Sequence, residues 1–351
     1  MINLKFVNYF TFFYPKLKLC INFVTNNTSH ASHLNSAPGL VFEFYRVIFN
    51  FIYAMKYNKI PLEIPAQILK LKNRGLKFGN EKKAANYLSN ISYYRLRAYT
   101  YPFQDNNSYD HPFDVPISFE QIIDLYVFDR KLRLLIFDGI EKIEIAFRTQ
   151  IIYHFALTYG SHWQTKPELF RNKDWFESQL DSLQKEIDRS NETFIKHYRN
   201  KYTKPLEPPC WMTLEVCNMG LLSKIFQNLK KGKEKEAVTN HFGLSNVVLL
   251  ENWMLCFSTL RNICAHHCRV WNRRLTSIKF PTNPKNPFLK NQNIYPNKLY
   301  STLSCIQYVL NIISPGNTFS KRLKELIKTC PLAQTKEMGF PDNWLDEALW
   351  K

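Results

Sequence analysis

Beyond Ile60, apolar positions recur every three or four residues with polar positions between them, the period of helices that bury one side. Pro65 near its start and Gly75 at its end delimit a first helix within Ile60–Gly75. A second is predicted over EKKAANYLSNISYYRLRAYTYPF, Glu81–Phe103. QDNNSYDHPFDVP, Gln104–Pro116, reads as a loop from its Asn, Asp and Pro content. Ser118 and Gln121 then spell a capping box that opens the longest helical stretch, running toward Gly160 with Gly139 as the place where it would bend. Its DRKLR and EKIE segments put opposite charges three and four apart, the spacing of an exposed face. Glu168–Tyr202 is a charged helical arm, ended by the prolines of KPLEPP at Lys204–Pro209. A helix over Trp211–Lys230 follows, in which Gly220 permits a close approach, and KKGKEKE at Lys230–Glu236 reads as a solvated turn. Phe280–Lys298 is a Pro/Asn loop, and two last helices are predicted at Leu299–Ile313 and Ser320–Lys328. The class is therefore all-α.

The most informative helix is predicted within Ser245–Arg274, SNVVLLENWMLCFSTLRNICAHHCRVWNRR. At about 100° per residue, Leu249, Leu250, Trp253, Cys256, Phe257, Leu260, Ile263 and Cys264 fill one arc. Glu251, Asn252, Ser258, Thr259, Asn262 and His266 fall opposite. Arg261 sits at the boundary, with Asn262 and His266 roughly 100° and 140° further round. If the helix continues, Arg269 and Arg273 join the polar side, Trp271 returns to the core, and His267 packs inside. An imidazole, an amide and three guanidinium groups would then share one groove. Arg148 and His154 spell a second Arg/His pair, but Glu144 lies one turn before Arg148, where an ordinary ion pair satisfies it. Tyr93, Tyr94, Arg95 and Arg97 suit RNA contact through stacking and phosphate pairing, or a tyrosine-rich hinge packed on the bundle.

Composition sharpens this in three ways. The 351 residues include only ten glycines, few for a turn-rich β fold. The net charge of +18, from 47 basic and 29 acidic residues, points to a polyanionic partner, although a generic proteome bias gives the same sign. The eight cysteines form no Cys-x2-Cys pair and read as reduced, buried thiols of a cytosolic protein. Cys264, His267 and Cys268 cluster, but a structural zinc site needs four ligands and no matching pair is visible, so no metal or other cofactor is expected. Residues 1–54 differ from the rest in being rich in Phe, Tyr and Asn, with Glu43 the only acid. They make a poor signal peptide, and LVFEFYRVIFNFIYA at Leu40–Ala54 is too short to span a bilayer. Met55 is expected to be the true start and 1–54 a non-native extension; the alternative is an amphipathic arm that docks on the domain or on a membrane surface.

RNICAHHCRVWNR at Arg261–Arg273 resembles the Arg-x4-His signature of HEPN-type ribonucleases as it occurs in the Abi-like (abortive-infection) bacterial family. Further family-like segments stand in order: LSNISYYRLRAYTYPF at Leu88–Phe103, FDRKLRLLIFDGIEKIEIAFRTQI at Phe128–Ile151, WMTLEVCNMGLLSKIF at Trp211–Phe226 and MGFPDNWLDEALW at Met338–Trp350. The resemblance implies a HEPN-like helical bundle over 55–275 with a C-terminal helical extension over 276–351 packed on it. It implies metal-independent cleavage of RNA in phage defence, through the ribose 2′-hydroxyl and a cyclic 2′,3′-phosphate. His266 would be the general acid/base, Arg261 the phosphate clamp and Asn262 an orienting amide. Arg269, Arg273, Arg95, Arg97 and Tyr94 would bind RNA, and Arg148 with His154 is a possible second motif. One motif supplies one imidazole, whereas the attack is served by a base and an acid, so a homodimer with a composite groove is expected. An inhibitory partner, protein or RNA, would restrain the enzyme. Two rival classes are a non-catalytic RNA-binding regulator of a defence or toxin–antitoxin system, and a component acting at the membrane through 1–54.

Overall fold

Most of the helices begin where a side chain accepts a first-turn N–H or a proline leaves one fewer N–H to satisfy. In the computed structural model, which describes residues 59–282, 284, 287–290 and 294–351, α1 (Ile64–Asn73) starts with Pro65 in its first turn and stops before Gly75, whose φ is +97°. Asn80 caps α2 (Glu81–Ile91) by accepting the Lys83 N–H at 2.9 Å. The single helix expected over Glu81–Phe103 is two, because Ser92 turns the chain at φ +69° and its hydroxyl caps α3 (Tyr93–Thr100). The Ser118/Gln121 capping box is present in both directions and opens α4 (Phe119–Tyr159), 41 residues without a break. Gly139 is not a hinge. A Cβ there would lie 3.1 Å from the ring of Phe319, so glycine lets α12 (Phe319–Lys328) lie close against α4.

The helix expected at Trp211–Lys230 is also two, α7 (Cys210–Val216) and α8 (Met219–Asn228), because Asn218 leaves the helix and caps α8. The charged arm divides into α5 (Lys173–Arg189) and α6 (Thr193–Lys201). α9 (Lys233–His241), α10 (Val247–Ala265) and α11 (Leu299–Ile313) complete the set, and among the described residues strand pairing is limited to isolated bridges. The fold is all-α.

Glu63–Lys351 form one compact unit with α4 as its axis; α3 and α7 to α12 all pack on it. Trp253, Phe257 and Leu260 carry the apolar arc of α10 into the centre, where Phe257 stacks 6.3 Å from Phe147 of α4 and Trp253 meets Tyr308 of α11 edge-on at 5.8 Å. Each such buried side chain contributes roughly 1.5–3 kcal/mol. Gly220 brings α8 onto the other flank of α10, where a Cβ would lie 3.4 Å from the Ser258 hydroxyl. Ser258, expected on the wet side, is consequently buried. The C-terminal tail is anchored as its tryptophans suggested: Trp350 is sealed, stacks on Tyr300 and donates to its hydroxyl at 3.2 Å.

Two charged stretches read as solvated are largely exposed, but each hides buried charge. Asp129 and Arg133 of the DRKLR segment are buried, and so is Lys235, whose ammonium meets Glu251 at 2.6 Å and the Leu229 carbonyl at 2.8 Å. Among the described residues no helix is long and apolar enough to cross a membrane. The expectations for residues 1–54, including Cys20, lie outside the described residues.

Candidate functional site

α10 ends at Ala265, sooner than its sequence pattern suggested. His266 is its C-cap (φ −84°, ψ 12°), and His267 takes φ +57°. The His267 N–H donates to the Cys264 carbonyl and the Cys268 N–H to that of Ile263, both at 3.0 Å, which closes the helix in a Schellman motif. Both imidazoles are exposed. His267 is therefore not the core histidine expected. That expectation extended a helical wheel past the point where the helix stops. Leu255, Thr259, Asn262 and His266 fall within roughly 60° of one another on α10 and form its open stripe. Leu255 is 47% exposed, and Asn262 and His266 are exposed as well.

The loop after the helix is clamped from beneath. Asp129 of α4, fully buried, accepts the N–H groups of Val270 at 3.0 Å and Trp271 at 2.7 Å through Oδ1. Its Oδ2 accepts the Tyr99 hydroxyl at 2.6 Å and the Arg133 guanidinium, so one carboxylate joins α3, α4 and this loop. Burial, then the charge of Asp129, pushes the Tyr99 hydroxyl far above its usual range and keeps it a donor. Trp271 is in the core as expected, although by way of this loop.

The arginines expected to meet RNA mostly hold the protein to itself. Arg95 donates to the His267 carbonyl at 2.8 Å. Arg269 donates to the carbonyls of Ala98 at 2.6 Å and Asn272 at 3.2 Å and lies over Trp271; burial lowers its pKa, against the pull of Asp129. Arg273 reaches the Arg269 carbonyl at 3.3 Å, and Arg97 reaches Gln104 at 3.4 Å. Tyr94, beside Arg95, is 86% exposed.

Arg261 lies over the Phe137 ring, 5.6 Å from its centroid, with Glu144 at 3.9 Å and the Asn262 amide oxygen at 3.4 Å. Its Nε is buried without a hydrogen-bond partner, Glu144 being at ion-pair distance only. Glu144 also takes Arg148 at 2.9 Å, and Arg148 donates on to the Cys217 carbonyl at 2.9 Å. Glu144 thus joins the first arginine of each Arg/His spelling. His154 stands elsewhere: its ring lies edge-on to Tyr153, and it faces His241, whose pKa is lowered by burial and then by His154. Six residues along a helix separate Arg148 from His154 by about 9 Å and roughly 240°, so the structure does not bring this pair together. Cys264 is buried, its thiol pushed up to about 12, whereas Cys268 is exposed. Among the described residues no three His, Cys, Asp or Glu side chains are grouped to hold a metal ion.

Sequence reasoning missed Asp129, Tyr99, Arg133 and the sharing of Glu144. The Asp129/Arg133 spacing of four was the one signal, and it is also the spacing of surface pairs.

The family model described as Abi-like protein matches residues 86–272, just over half of the chain, from within α2 through the loop after α10. No curated protein and no solved structure matches the chain.

Proposed function

The chain belongs to the Abi-like protein family, a membership that suggests a role in abortive infection, and on that premise we propose that it is a metal-independent endoribonuclease working at the C-terminal end of α10. The observation that carries this is local: an exposed imidazole at His266, the Asn262 amide one turn back on the same stripe, and a half-exposed Arg261 guanidinium beside that amide. Imidazoles as a class take and give protons near neutral pH, and a guanidinium clamps a phosphate and the charge that grows on it. His266 removes the 2′-hydroxyl proton, Arg261 holds the non-bridging oxygens, and Asn262 orients the group being cut. The net charge of +18 favours a polyanion at this surface.

A homodimer is part of the proposal, since pairing the α10 ends about a two-fold axis would enclose RNA between two such sites. So is a restraining partner, protein or RNA. The test compares purified full-length protein with His266→Ala on RNA, and maps RNA ends in cells expressing each. Loss of a general acid/base costs about 10²–10⁴-fold in rate. Equal cleavage by the two proteins would refute the assignment, and RNA binding without cleavage by either would favour the regulatory alternative. A fully active monomer would remove the dimer.

A further inference from the structure

Among the described residues, three α-helices end in the same hydrogen-bonded motif. At the ends of α1 and α9 the left-handed position is glycine: Gly75 (φ +97°) donates to Lys72, with Leu76 donating to Leu71, and Gly243 (φ +67°) donates to Asn240, with Leu244 donating to Thr239. At the end of α10 the same position is His267 at φ +57°. A side chain with a Cβ is strained there and glycine is not. Packing does not explain the histidine, because His267 is exposed. Hydrogen bonding does not explain it either, since among the described residues its ring has no partner while its backbone is held on both sides, by the Cys264 carbonyl and by Arg95. A strained, exposed, unpartnered imidazole next to His266 has the character of a residue kept for what it does to a ligand.

We propose that His267 is the second proton-transfer group of the site, acting on the same phosphodiester from the same chain. This rests on the ribonuclease reading above. His266 takes the proton of the 2′-hydroxyl, O2′ bonds to phosphorus, and the P–O5′ bond breaks with its electron pair on O5′. His267, protonated, gives O5′ a proton. The products are a 2′,3′-cyclic phosphate and a 5′-hydroxyl, and the net change is one proton moved from O2′ to O5′. A dimer then carries two complete sites facing one another, rather than one site assembled from two halves.

The test uses two substitutions that suit the backbone. His267→Gly restores the residue found at the other two helix ends, and His267→Asn keeps a side chain that tolerates this conformation. The expected result for full-length protein is a melting temperature at or above that of the wild type for His267→Gly. Single-turnover RNA cleavage should fall about 10²–10⁴-fold in both variants. The bell-shaped pH profile of the wild type should lose one limb. Cleavage by both variants within about threefold of wild type, far short of the loss of an acid, would overturn the proposal while leaving His266 untouched. Inactive wild type, or full activity in His266→Ala, would overturn the ribonuclease reading and this proposal with it.

Discussion

Replacing Asp129 tests whether the loop behind His266 is held by one buried carboxylate. Asp129 accepts four hydrogen bonds, from Val270, Trp271, Tyr99 and Arg133, and is fully buried. Alanine would orphan two backbone N–H groups at about 1–3 kcal/mol each and leave the Arg133 charge buried alone at about 3–5 kcal/mol. That total rivals the whole stability of a domain, about 5–15 kcal/mol, so Asp129→Ala is expected not to fold. Asp129→Asn is the informative change. Its amide oxygen still accepts the Val270 and Trp271 N–H groups, while the amide nitrogen now confronts two donors. The charge pair is lost, at about 3–5 kcal/mol, together with the Tyr99 hydrogen bond to the same oxygen. Urea unfolding at constant m reads this as a shift in midpoint. Adding Arg133→Met should return most of the loss, giving a coupling of about 2 kcal/mol or more, within the range for residues in one network. A cost for Asp129→Asn below about 1 kcal/mol, the worth of an ordinary hydrogen bond, would refute the clamp. So would additivity of the two changes.

The remaining predictions concern the rest of the bundle. Burial pulls the Lys235 ammonium down from 10.5 to about 8, against Glu251, which pulls it up. Between those values the unfolded chain binds the extra proton, so the stability tied to Lys235 rises with pH through that window and is lowest below about 8. Lys235→Met should flatten that part of the stability–pH curve, and an unchanged slope would count against it. Gly139→Val puts methyl groups where even a Cβ would be 3.1 Å from Phe319, and should cost about 1–3 kcal/mol by thermal unfolding; no loss would mean that α12 has room to move.

Local signals in the sequence located most of the fold. The Ser118 capping box, the long α4, the apolar arc of α10 and the helix at Leu299–Ile313 all have causes within a few residues of themselves, and all are found. What escaped has its cause far along the chain. Nothing in RNICAHHCRVWNR stops a helix as glycine or proline would; the stop at His266 goes with a carboxylate from Asp129 that takes the next free N–H groups. The same distance hid burial. Asp129–Arg133 and Asp181–Lys185 are both opposite charges four apart, yet the first pair is sealed and the second solvated, because helices cover one and not the other. The cluster Arg261, Asn262 and His266 was legible as a list of residues, while the exposure and conformation of His267 were not.

The two Arg/His spellings make better sense as parts of one device than as two sites. Arg148 is 8% exposed and its guanidinium is committed to Glu144 and the Cys217 carbonyl, with Glu215 at 3.8 Å. Drawing it out to a phosphate would leave Glu144 without its close partner, a change of several kcal/mol in the wrong direction. Arg261 is in the opposite position. Its contacts to Glu144 at 3.9 Å and Asn262 at 3.4 Å are long, and Phe137 supports its face without fixing it. It can shift toward an anion at small cost, because Arg148 still neutralises Glu144 when it does. On the reading proposed for Arg261, the buried arginine compensates the carboxylate, the carboxylate aims the exposed arginine, and only the exposed one meets RNA. His154, on another side of α4, has no part to play in that arrangement.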